Sequence, residues 1–256
     1  MYKGHLPVGG CQSSKGDRMS EEKSALKQSL WGKIFQKLIT AAAYVLFRPK
    51  IVWVDKSYKK LLKKRPAVFV ANHTSHFDGA FAGAILGRYK PYVLVQKSWF
   101  DKKGVGAAIR WCRCLPIDIN SADADWYINA EALVKSGGSM VIFPEGAIAR
   151  SGKMQQFKPG AALLSASTGA VIVPFAIYGE YAKVFGKRQK VLIGKPIESS
   201  CPEDMRHSKY ARMLAGQAEA EVRRLYGVLE QKYGKLPVYK DDDFSAEATE
   251  KEAVTN

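Results

Sequence analysis

In this chain of 256 residues, His73 and Asp78 are a titratable base and a carboxylate five positions apart. Those types at that spacing suit proton transfer. An alcohol is a weak nucleophile at neutral pH, and moving an acyl group onto one requires a base to take its proton. A positioned His contributes roughly 10²–10⁴-fold in such a step. A carboxylate on the other ring nitrogen fixes the tautomer and stabilises the imidazolium. The pair lies in Asn72-His73-Thr74-Ser75-His76-Phe77-Asp78, between an apolar run at 67–71 that reads as a buried strand and a candidate helix at 79–86. Ser75-x-x-Asp78 also fits a capping box, with Ser75 as N-cap and Asp78 at the third helical position. The same residues therefore account for a helix start. A Gly-x-Ser-x-Gly nucleophile elbow is absent from the sequence, which favours direct transfer over a covalent intermediate.

A second stretch, Phe143-Pro144-Glu145-Gly146, closes another candidate strand. Alone it reads as a Pro-Gly turn. Strand ends on one edge of an α/β sheet form the ligand crevice, so the two stretches can meet there.

Alternating elements must position these groups. Residues 51–54, 67–71, 92–96, 115–119, 139–143, 171–178 and 189–194 read as strands. Residues 29–47, 79–86, 105–111, 121–135, 161–168 and 208–233 read as helices, and 58–65 as a basic helical or turn segment closed by Pro66. Gly137-Gly138 and Gly169 stop helices. Pro174 predicts an edge or bulged strand, because proline offers no N–H to a neighbour. The order predicts one α/β domain with a mixed, mostly parallel sheet flanked by helices. The expected organisation is a disordered N-terminus (1–24), an amphipathic interfacial helix (25–49), the α/β domain (50–236) and an acidic disordered tail (237–256).

In the first helix, Leu30, Trp31, Ile34, Phe35, Leu38, Ala41, Ala42 and Val45 recur at helical spacing, with Lys33, Lys37 and Arg48 around the stripe. The uninterrupted apolar part, 38–47, is too short to cross a bilayer. A basic helix with a Trp near one end and an apolar face can lie in the membrane interface; the same stripe could instead pack on the protein's own core. Formal net charge is +16. Residues 240–256 set two lysines against six carboxylates, a local −4, which leaves +20 on 1–239. Such a charge favours an anionic membrane surface, nucleic acid, or phosphorylated and CoA-like substrates. The absence of any helix-turn-helix, RNA-binding or zinc signature argues against nucleic acid. Cys11, Cys112, Cys114 and Cys201 show neither zinc spacing nor a disulfide framework, which predicts free thiols in a reducing compartment and no metal site. The first twenty residues lack an apolar secretory core. The expected location is the cytoplasmic face of the cell membrane, peripheral or monotopic.

Taken in order, Asn72-His73-x-Ser75-x-x-Asp78, Phe143-Pro144-Glu145-Gly146 and Val173-Pro174 resemble the motifs of the glycerolipid acyltransferases, the 1-acylglycerol-3-phosphate acyltransferase (PlsC-like) family, over roughly residues 50–200. The resemblance implies His73 as general base, Asp78 as its orienting carboxylate, and Ser75, Glu145 and Gly146 at the acceptor site. It implies transfer of a fatty acyl group from acyl-CoA or acyl-carrier protein to the free hydroxyl of a lysolipid. The first acceptor implied is 1-acyl-sn-glycerol-3-phosphate, giving phosphatidic acid, with no cofactor beyond the thioester co-substrate and no metal. It also implies a mixed sheet wrapped in helices and an N-terminal amphipathic element at the membrane.

The chain departs from the family's Glu-Gly-Thr-Arg-Ser. Ala147, Ile148 and Ala149 follow Gly146, with Arg150 next, and Ile119 stands where the family has an arginine after Ile117-Asp118. Arg recognises phosphate bidentately, and an isoleucine cannot replace it. Arg150, Lys153, Lys158 and Lys97 are the cations that could supply the charge instead. Otherwise the acceptor is a lysophospholipid with a larger head group or another hydroxylated lipid, or the chain is a non-catalytic membrane-binding homologue.

Overall fold

Short apolar runs bounded by Gly and Pro become seven strands, and the stretches between them become helices. The computed structural model describes residues 30–118, 125–149, 153–181 and 188–236. In chain order these form α1 (Leu30–Phe47), β1 (Lys50–Trp53), α2 (Tyr58–Leu61), β2 (Ala67–Ala71), α3 (Asp78–Ile85), β3 (Pro91–Gln96) and α4 (Val105–Trp111). Then follow β4 (Cys114–Ile117), α5 (Asp125–Lys135), β5 (Ser139–Ile142), α6 (Gly160–Thr168), β6 (Val171–Tyr178), β7 (Lys190–Ile193) and α7 (His207–Tyr233). The sheet order is β1-β7-β6-β2-β5-β3-β4. Every neighbouring pair is parallel except β6–β7. The mixed, mostly parallel sheet flanked by helices is as expected. The expectations for residues 1–24 and 237–256, and for Cys11 and Ile119, lie outside the described residues.

Side chains alternate across the pleat. Val68, Val70, Met140, Ile142 and Ile172 pack on one face with residues of α5, α6 and α7. Phe69, Ala71, Val141, Val173 and Phe175 pack on the other with α3 and Phe47 of α1. Helices on both faces explain why β2, β5 and β6 read as unbroken apolar runs.

The edge or bulged strand expected at Pro174 is corrected. β6 lies inside the sheet between β2 and β7, and all eight of its residues are buried. The proline is tolerated because its polar edge faces the side where β7 has already ended, at Ile193. Gly194 donates its N–H to the Pro174 carbonyl at 2.8 Å, and regular pairing with β7 begins only at Phe175. The missing N–H therefore breaks no ladder.

β6 also runs three residues past the end of its pairing with β2, which stops at Ala71 and Phe175. The backbone of Ile177 would be left without partners on that side. The buried Asn72 supplies them: its Nδ2 donates to the Ile177 carbonyl and its Oδ1 accepts the Ile177 N–H, both at 2.9 Å. A side-chain amide thus extends the ladder by one step.

α1 packs through Gly32 and Ala43, with Phe35 edge-on to Trp111 at 5.3 Å and Phe47 edge-on to Phe81 at 5.7 Å. Most of the stripe read from the sequence points the other way. Trp31 is 73% exposed and Leu38 63%, and Leu30, Ile34 and Val45 are exposed beside them. Among the described residues no helix is long and apolar enough to cross a membrane.

Asn72→Ala leaves two buried backbone groups of Ile177 unpaired, each costing about 1–3 kcal/mol. Urea unfolding should register a loss of about 2–4 kcal/mol, and a loss under 0.5 kcal/mol would show that this clamp is not needed.

Candidate active site

β6, β2, β5 and β3 run parallel and side by side, so their carboxyl ends share one edge. That edge collects Tyr181 three residues beyond β6, His73 two beyond β2, Glu145 three beyond β5 and Lys97 directly after β3. Segments distant in sequence meet there because of sheet order alone.

Asp78 is the first residue of α3 and is fully buried. Its Oδ2 accepts the N–H of Thr74 at 2.6 Å and of Ser75 at 2.8 Å, and lies 3.0 Å from Nδ1 of His73. The start of a helix also favours negative charge. The expected capping box is only half present. Asp78 does reach back to the Ser75 N–H, but Ser75 is not the N-cap, and its Oγ accepts the N–H of Phe77 at 3.2 Å. The helix begins at Asp78, one residue before the expected 79 but later than a Ser75 N-cap would start it, because the loop before it is wrapped around the carboxylate.

An oxygen that already accepts two amide N–H groups meets the imidazole as an acceptor, so Nδ1 carries the proton. Nε2 then bears the free lone pair, on a side chain that is 20% exposed. The ring stacks on Phe143, with centroids 4.5 Å apart and planes 23° apart. Its backbone is held as well: the His73 N–H donates to Oε1 of Glu145 at 2.7 Å, and its carbonyl accepts from the N–H of Ala149 at 2.8 Å.

Glu145 is buried, and both its oxygens are taken by backbone amides, Oε1 by His73 and Oε2 by Gln155 at 2.8 Å. Burial pushes its carboxyl above the usual range, while those two N–H donors and the nearby His73 and Arg223 pull it back. Arg223 of α7 donates to the carbonyls of Met154 and Gln155 and pairs with Glu219, which accepts the Phe157 N–H. The long helix therefore fixes the loop that completes the Glu145 bracket.

Gly146 has φ +73°, a left-handed conformation open mainly to glycine. A Cβ there would also lie 2.6 Å from Nζ of Lys158, whose side chain crosses over this glycine. The Lys158 ammonium has no carboxylate partner among the described residues.

His73, Asp78, Ser75, Glu145, Gly146 and Lys158 thus come together. Lys97 opens a 3₁₀ turn on the same edge, two strands from β2. Lys153 is exposed at the start of the loop pinned by Arg223. Arg150 lies outside the described residues. Sequence reasoning missed the Asn72 clamp, the stacking role of Phe143, the Gln155 amide and Tyr181. Asn72 and Phe143 were at least marked by lying inside the two motifs. Among the described residues no group of three or more His, Cys, Asp or Glu is placed to hold a metal ion.

Comparison with known proteins adds an independent line. The Acyltransferase family model matches residues 54–178. A chloroplastic 1-acyl-sn-glycerol-3-phosphate acyltransferase of Arabidopsis thaliana is 30% identical over 169 residues, 61% of this chain and 44% of that protein. The 1-acyl-sn-glycerol-3-phosphate acyltransferase of Bacillus subtilis is 26% identical over 161 residues, 62% of this chain and 78% of that protein. The chain therefore spans less than half of the Arabidopsis protein and most of the Bacillus one. The crystal structure of a 1-acyl-sn-glycerophosphate acyltransferase, PlsC, from Thermotoga maritima aligns with a TM-score of 0.58 at 22% identity, covering 86% of this chain and 85% of that one. The two share a fold.

A carboxyl whose pKa is raised on folding stabilises the fold fully below its ordinary value, and that contribution is lost as pH rises through the raised one. As pH rises above the ordinary glutamate range, the unchanged chain should lose unfolding free energy more steeply than Glu145→Gln. Identical slopes in urea titrations would show that burial of Glu145 is not felt as a charge.

Proposed function

On the match of the Acyltransferase family model to residues 54–178, we propose that the chain moves a fatty acyl group from a thioester, acyl-CoA or acyl-carrier protein, to the free hydroxyl of a lysolipid. The observation that carries this reading is His73 Nδ1 at 3.0 Å from Asp78 Oδ2 on the carboxyl edge of the sheet. Nε2 of His73 takes the proton of the acceptor hydroxyl as its oxygen attacks the thioester carbonyl. Asp78 holds the ring in the required tautomer and stabilises the imidazolium. When the carbon–sulfur bond breaks, the departing thiolate recovers that proton from the imidazolium. The acyl chain passes directly to the acceptor and no covalent enzyme intermediate forms.

The first acceptor is 1-acyl-sn-glycerol-3-phosphate, giving phosphatidic acid, in line with the names of the Arabidopsis and Bacillus relatives. Lys158, across Gly146, Lys97, at the end of β3, and Lys153 are candidate cations for its phosphate among the described residues. The half-buried Ile148 favours a second reading, a lysophospholipid with a larger head group. Purified chain with labelled acyl-CoA and a panel of lysolipids separates the two by product mass. His73→Ala should cut turnover on the best acceptor by at least about 100-fold while the protein stays folded. Near-unchanged turnover in that variant would sink the mechanism.

The outward apolar face of α1, with the basic body of the chain, suits a peripheral or monotopic seat on an anionic membrane. Trp31→Ser with Leu38→Ser should reduce co-sedimentation with anionic vesicles several-fold. Equal binding by that variant would rule out α1 as the contact.

A further inference from the structure

The half of Asp78 that the reaction does not use points to one more residue. Oδ2 serves three hydrogen bonds, while Oδ1 is fully shielded and has no partner at hydrogen-bond geometry. The Tyr181 hydroxyl is in the same condition, shielded and unpaired. A buried polar atom without a partner costs free energy, and here one group is a donor without an acceptor and the other an acceptor without a donor. Burial first, and then the charge of the neighbouring Asp78, push the phenol well above the usual tyrosine range. The ring is anchored from three sides: edge-on to Phe47 at 5.1 Å, edge-on to Phe81 at 5.8 Å, and tilted on Phe77 at 6.0 Å. That anchoring comes from α1, α3 and the loop before α3, and two of the three rings, Phe77 and Phe81, lie next to Asp78 in sequence or one turn along its helix.

We propose that Tyr181 is a positioning residue that donates its O–H to Asp78 Oδ1 and completes a Tyr181–Asp78–His73 relay. Asp78 would then be fixed by donors on both oxygens, and its rotation, which would carry Oδ2 away from the imidazole, is blocked. The donated bond also withdraws charge from the carboxylate, so the imidazolium of His73 is less stabilised than it would be by an unbonded Asp78. Among the described residues, Glu145 approaches His73 from the end of β5, with Arg223 behind it on α7, and Tyr181 approaches Asp78 from the end of β6.

The role in acyl transfer rests on the function proposed above, but the hydrogen bond is read separately. In Tyr181→Phe the ring and its packing remain and only the hydroxyl is lost. The His73 imidazole signals in the NMR spectrum should then titrate at higher pH than in the unchanged chain. The acid limb of the pH–rate profile should move the same way, and kcat should fall on the order of 10-fold with the acceptor KM unchanged. Phe47→Leu removes a ring from the same cluster without touching the hydroxyl, and should lower Tm while leaving the His73 titration in place. An unmoved titration in Tyr181→Phe, or an equal shift in Phe47→Leu, overturns the relay. Should Tyr181→Phe fail to fold, the unchanged chain still gives an answer. A slowly exchanging Tyr181 hydroxyl proton should be visible there and vanish in Asp78→Asn; its absence from the unchanged chain overturns the proposal. An unchanged chain that acylates no lysolipid would sink the function alone, because the imidazole and hydroxyl readings need no turnover.

Discussion

A carboxylate with no exposure to water is the constraint around which the carboxyl edge of the sheet is arranged. Burying a charge is costly unless hydrogen bonds compensate it, and Asp78 meets that cost locally. The backbone of Thr74 and Ser75 turns inward to donate to one oxygen. That turn delays the helix start, brings His73 alongside, and leaves the imidazole as the third donor. Electrostatics, loop shape and ring orientation are thus one solution to one problem. Phe143 and Glu145 then fix the ring and its backbone from the neighbouring strand.

Much of the fold was legible because it follows from short-range pattern. Unbroken apolar runs such as Ala67–Ala71 and Val171–Tyr178 read as strands buried on both faces, and the alternation with helices gave the mostly parallel sheet. The errors came where the outcome depends on a partner elsewhere. Pro174 sits inside the sheet because β7 stops one residue short of opposing it, and no local signal gives that length. α1 was correctly read as a helix, yet its periodicity is ambiguous about which side faces in. Small residues, Gly32 and Ala43, make the close contact, and the bulky stripe is left outside.

The site divides in the same way. His73 and Asp78 were legible as a pair because one stretch of six residues holds both of them. Glu145 was marked by its place at a strand end, but its bracketing of His73 and Gln155 was not. Asn72 and Tyr181 were illegible in role. An asparagine beside a histidine is unremarked until Ile177 is found without backbone partners, and a tyrosine after an apolar strand looks like any other aromatic. What marks Tyr181 is an unpaired atom on each side of one contact, which exists only in three dimensions.

The bonds that hold the site also set when it can exist. His73 and Glu145 are 72 residues apart, and Asn72 and Ile177 are 105 apart. Contacts of that range form only after large loops have closed, and they slow folding relative to local ones. Helices such as α6 and α7 can form on the microsecond scale, long before β2 has β5 on one side and β6 on the other. A collapsed chain with most of its helix already holds the histidine and the aspartate in one loop, yet nothing clamps the imidazole. The clamp on the imidazole is therefore complete only once β2 has neighbours on both sides, so the site is a product of the finished sheet and not of the loop that carries its two central residues.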